Sequence, residues 1–205
     1  MVRLISKERG AVMRPLLFLL GIAGSAALAA DSDGNFAIKG AGLQTCENFL
    51  AAYSTRSTDL GLYSGWIDGF LTGQNQYREG VFDLASWETS QILLALTQSS
   101  CAQVPPETLF IDGFAQVLRL IRPDAITEQD TASAAKLGDR VVVLYDDVMI
   151  RMKVALAAAG YTPGDVTTAT FTNEAASALK AFQADKGIIE SGLPDQRTLY
   201  ELFRR

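Results

Sequence analysis

The stretch N-E-A-A-S-A-L-K-A-F-Q-A-D-K-G, residues 173–187, decides how the C-terminal part of the chain folds. Ala175, Ala178, Leu179 and Phe182 recur at i, i+3, i+4 and i+7, which predicts a helix with one buried face. Thr172 or Asn173 supplies its N-cap and Lys186-Gly187 its end. On the C-terminal side, Asp195 can cap a last helix whose Leu199, Leu202 and Phe203 face inward. On the N-terminal side, Val148 to Ala159 puts Met149, Met152, Leu156 and Ala159 on one stripe, and Gly160 ends it. Three helices in about 65 residues make a unit that is small but able to fold alone.

Working upstream, residues 123–139 are rich in Thr, Ala, Ser and acids without apolar periodicity, and they read as a linker. Val141 to Tyr145 is ambiguous between a short strand and a helix start. Four more helices are expected before the linker. The first covers residues 44–53, with Cys46, Phe49, Leu50 and Tyr53 at helical spacing, and the second covers 61–77. A third covers 85–100, and a fourth opens at Pro105-Pro106-Glu107 and stops before Pro123. In the second helix Gly61, Gly65, Gly69 and Gly73 recur every four positions. Glycine costs a helix about 1 kcal/mol relative to alanine, so a closely approaching neighbour is expected on that face. The expected fold class is all-α, with two small helical domains at residues 41–122 and 140–205.

The N-terminus reads as an export signal. Arg3, Lys7, Arg9 and Arg14 precede an apolar run from Pro15 to Ala23, and Ala27-Leu28-Ala29 is an A-x-A cleavage site. The run is too short for the ~20 apolar residues of a spanning helix. Cleavage of residues 1–29 therefore leaves a periplasmic chain with no transmembrane segment. The whole chain has 18 basic and 23 acidic residues, and the signal holds four basic residues and Glu8. The mature form keeps 14 against 22, a charge of −8. Such an acidic surface disfavours nucleic acid as a partner.

Two cysteines, Cys46 and Cys101, are an even count in an oxidising compartment and read as one disulfide. The chain has no histidine. That excludes Ser-His-Asp and Cys-His catalysis and zinc sites of the H-E-x-x-H type. With both cysteines in a disulfide, no metal site and no cofactor is expected. Carboxylate chemistry is what remains for an enzyme. Ile-Asp-Gly-Phe occurs twice, at 67–70 and 111–114, which raises an Asp68/Asp112 pair, although an exposed acid on each of two helices explains both. Trp66 and Trp87 can line a groove for sugar rings or peptide, or pack in the core of a bundle.

Residues 148–203 resemble the peptidoglycan-binding domains found at the ends of cell-wall hydrolases. The resemblance is carried by Ala-Ala-Gly160-Tyr161, Pro163-Gly164, Phe171, Ala178-Leu179-Lys180-Ala181-Phe182-Gln183, Gly187, Gly192, and Asp195 with Thr198-Leu199. It implies a three-helix fold, in which Tyr161, Phe171 and Gln183 can border a wall-ligand pocket, with core packing the default reading for Phe171. The family has Asp-Gly before its aromatic residue and Gly after it, where this chain has Thr168-Ala169-Thr170-Phe171-Thr172. Weak peptidoglycan binding is the expectation. Residues 42–121 more loosely resemble HdeA-type periplasmic proteins and the type VI immunity proteins of that fold. An early cysteine, Trp66-Ile67-Asp68-Gly69-Phe70 with Gly73 and Asn75, and a late cysteine before Pro105 carry that likeness. It implies a disulfide between the first and third helices, a role in protein binding and no active site. The expected function is a non-enzymatic periplasmic binding protein with an envelope protein partner. The alternatives are a peptidoglycan hydrolase or its accessory subunit, and a structural subunit of an envelope assembly.

Overall fold

The computed structural model describes residue 31 and residues 35–204. The signal-peptide reading of residues 1–29 lies outside them. Two units divide the chain, Met1–Phe36 and Ala37–Arg205, and the elements named below lie in the second. They are α1 (Cys46–Ser54), α2 (Leu60–Tyr77), α3 (Ser90–Cys101), α4 (Phe110–Ile121), β1 (Ala132–Leu137), β2 (Arg140–Tyr145), α5 (Asp146–Ala158), α6 (Asn173–Asp185) and α7 (Gln196–Phe203).

Local chemistry sets the helix ends. Thr45, Thr172 and Asp195 accept from Asn48 N, Ala175 N and Thr198 N, each satisfying a donor that the first helical turn leaves unpaired. α3 starts at Ser90 rather than 85, and α4 at Phe110 rather than at the prolines. Residues 85–89 are instead a loop.

An all-α fold has to be corrected to a mostly helical one with a β-hairpin. β1 and β2 pair antiparallel in six rungs, from Ala132↔Tyr145 to Leu137↔Arg140. Only Gly138 and Asp139 join them, and Gly138 sits at φ +61°, a turn that glycine allows. β1 falls within the segment read as a linker. Its sequence A-S-A-A-K-L has too little bulk to show alternation, and its pairing comes from the V-V-V-L run of β2.

Two cores result. The first gathers Phe49, Tyr63, Ile67, Phe110, Phe114 and the two cysteines, with α1–α4 around them. Phe49, Tyr63 and Phe110 meet at centroid distances of 4.8–5.0 Å. The second gathers Met149, Met152, Leu156, Leu179, Phe182 and Leu199, and it also takes in Trp87 and Ile126 from upstream of residue 140.

The Cys46–Cys101 disulfide ties α1 to α3, with Cα atoms 5.1 Å apart. The glycine stripe of α2 does not do what its spacing suggested. A Cβ at Gly61, Gly65, Gly69 or Gly73 meets nothing within 4 Å, so this face opens outward. Close approach occurs at other glycines. A Cβ at Gly113 would stand 2.7 Å from Cys101 Sγ and 2.9 Å from Cys46 Sγ, and one at Gly42 would stand 2.5 Å from the Trp66 ring.

Candidate functional site

The region between α5 and α6 carries two of the residues expected to border a wall ligand. Tyr161 follows α5, is half-buried, and donates its hydroxyl to Asp185 Oδ2 at 2.7 Å. That bond raises the Tyr161 pKa, so the phenol stays a donor. Its ring meets Phe182 edge-on at 5.8 Å. Phe171 is half-buried against the second core just before the Thr172 cap.

Between them runs a loop rich in threonine, ordered by groups the sequence reading passed over. Lys153 on α5 is 1% exposed, and its Nζ donates to the carbonyls of Asp165 (2.6 Å) and Thr170 (3.2 Å). Burial pulls this ammonium below the usual lysine value, against the opposing charge of Asp165. Asp165 Oδ1 accepts from the N–H and hydroxyl of Thr167, which lowers its own pKa. Gly164, at φ +80°, turns the chain into this arrangement. The loop therefore gets its shape from Lys153 and Asp165 in place of an Asp-Gly pair at 168–169. Lysine at an inward position of the α5 stripe was the available signal, since a buried ammonium requires acceptors.

Gln183 does not join Tyr161 and Phe171 on the surface. It is fully buried. Its Nε2 lies 2.9 Å from Ser191 Oγ, 3.0 Å from Leu193 O and 2.7 Å from Thr198 Oγ1, while Oε1 accepts from Gly192 N at 2.8 Å. The amide binds the turn before α7 to α6, and no part of it faces a ligand. From sequence alone, its place in the helix motif could not separate an inward polar side chain from an outward one.

Trp87 and Trp66 play different parts. Trp87 is buried in the second core, with the Phe203 ring 5.7 Å away and the Arg204 guanidinium 5.3 Å above it. Around it the upstream loop meets α5 and α7. Gln196 Nε2 donates to Trp87 O (2.6 Å), and Gln196 Oε1 accepts from Thr89 N (3.0 Å). Arg204 pairs with Glu88 (2.6 Å) and with Asp124, and Arg151 reaches Ser86, Asp124 and Asp147. Burial raises the Glu88 pKa, and Arg204 restrains the rise.

Trp66 is half-buried. It stacks on Phe70 at 5.2 Å and donates its indole N–H to Lys39 O at 2.7 Å. With Gly40, Gln44, Asp59, Leu62 and Tyr63 it lines an open groove of about 590 Å³. Asp68 and Asp112 are exposed on α2 and α4, and Asp68 accepts from Ser90 Oγ at 2.8 Å.

Among the described residues, no cluster of three or more Cys, Asp or Glu could hold a metal ion. No helix there is long and apolar enough to cross a membrane. No curated protein and no solved structure matches the chain. Residues 146–202, which span α5, the threonine loop, α6 and most of α7, match a family described as a putative peptidoglycan binding domain.

Proposed function

We propose that this is a non-enzymatic periplasmic binding protein, held at peptidoglycan by residues 146–202 while its upstream helices meet an envelope protein. The family match over 146–202 is the observation that carries the wall contact. The geometry favours it too, because Tyr161 and Phe171 keep part of their surface open beside a loop of threonine hydroxyls. Aromatic faces next to hydroxyl groups suit sugar rings and the amides of stem peptides. The protein-binding role upstream rests on the sequence resemblance of residues 42–121 to HdeA-type proteins, a stretch that the family match at 146–202 does not reach. The absence of histidine supports a role without catalysis.

Sedimentation of the mature chain, residues 30–205, with insoluble peptidoglycan tests the wall contact. Weak pelleting is expected, reduced in Tyr161→Ala and increased when Thr168→Asp and Ala169→Gly are combined. If neither the native chain nor the restored variant pellets, the wall reading fails. Release of muropeptides or reducing sugar, abolished by an Asp or Glu substitution, would overturn the non-enzymatic role.

A further inference from the structure

The hairpin leaves one side of β2 without a strand. Among the described residues its sheet has two strands, so β1 covers one edge of β2 and no strand pairs with the other. A groove of about 400 Å³ touches Val141, Val142, Val143 and Leu144 in succession. Successive strand residues point to opposite faces, so a groove that touches four in a row runs along the strand's edge. The loop 85–89 and the start of α7, at Asp195 and Gln196, form the facing wall. An unpaired edge presents free N–H and C=O groups at strand spacing, and another extended chain is what satisfies them.

The side chains narrow the occupant further. Val141 and Val143 are 52% and 61% exposed, large apolar groups without cover. The ionisable residues lining the groove are Glu88 and Asp195, both acids. Arg204 balances Glu88. Asp195 accepts from Thr198 and from the Ser191 hydroxyl, neutral donors that leave its charge in place. The wall is apolar and negative, and it contains no lysine or arginine.

We propose that this groove binds an extended segment of a partner protein, which adds to β2 as a third strand and carries a Lys or Arg beside apolar residues. The segment is a peptide recognised through its backbone, so the site is separate from the sugar-facing surface at Tyr161 and Phe171. It supplies a mode of contact for the envelope partner, and it does not depend on the wall reading.

The disulfide-intact mature chain can be panned against a display library of random linear peptides, long enough to span the ~13 Å of four strand residues. Enriched peptides should alternate β-branched or aromatic residues and include Lys or Arg. N-methylation of single backbone amides should weaken binding about ten-fold or more at every second position and leave the positions between unaffected. Val143→Arg, at an exposed site, should leave the folded spectrum and peptidoglycan pelleting unchanged while cutting peptide affinity by a similar factor. The proposal is overturned if no peptide is enriched, if N-methylation shows no alternation, or if Val143→Arg binds as well as the native chain.

Discussion

The sulfur atoms of Cys46 and Cys101 fill the space where a side chain at Gly113 would stand, and Ser100 Oγ donates to the Gly113 carbonyl at 2.8 Å. The requirement here is for volume, since Gly113 has no positive φ. Gly113→Ala should therefore destabilise by about 1–3 kcal/mol, the usual cost of overpacking a filled core. Gly65→Ala meets open space inside a helix and should stabilise by about 0.5–1 kcal/mol. Denaturant midpoints for the two variants check both signs. If Gly65→Ala destabilises, the outward face of α2 is not free in solution. Helical spacing shows that four glycines share a face, but it carries no information on what stands opposite. Gly113, by contrast, stands alone in α4, and its neighbours are fixed by a disulfide that spans 55 residues of sequence.

Among elements, the helices were legible wherever a cap and an apolar stripe coincided, as at Thr172 with Ala175, Leu179 and Phe182. The hairpin was not, because β1 has four Ala or Ser among its six residues and its cohesion comes from the other strand. Tyr161 and Phe171 are half-buried against the second core, whereas Gln183 is wholly inside it. Motif position alone cannot reveal that an amide is matched by Ser191, Gly192, Leu193 and Thr198 until the turn before α7 is folded. Gln183→Ala would strand several of those buried groups, each worth about 1–3 kcal/mol when left without a partner. Thermal unfolding should show the loss as a lowered transition temperature. Peptidoglycan pelleting by the fraction still folded should match the native chain, and a folded variant that no longer pelleted would return Gln183 to the binding surface.

At the scale of the molecule, the two cores meet through ionic and polar contacts around Trp87. Arg204 and Glu88 have side chains 7% and 1% exposed, so neither charge is well solvated. Arg204→Ala leaves Glu88 buried without its partner and should cost about 3–5 kcal/mol. Adding Glu88→Leu should restore much of the loss, because removing both charges also removes the desolvation penalty. A double-mutant cycle by chemical unfolding measures this, and additive losses would show that the pair is not coupled. The pair also has a pH signature. Folding raises the Glu88 pKa above its ordinary 4.5, so the folded state takes up this proton first as pH falls. Stability from this group accordingly increases as pH drops from the folded value toward 4.5 and is lost as pH rises back through it. Glu88→Gln should flatten that slope.

The same junction sets an order of events in time. Arg204 reaches Glu88 across 116 residues and Gln196 reaches Trp87 across 109, whereas the disulfide closes over 55 and the hairpin over a two-residue turn. Contacts between sequence neighbours close fast and distant ones late, since chain entropy must be overcome before they stabilise anything. The helical pairs and the hairpin are therefore expected to assemble before the halves dock. Mutations at the junction then act mainly by hastening unfolding, with little effect on the rate at which the chain folds.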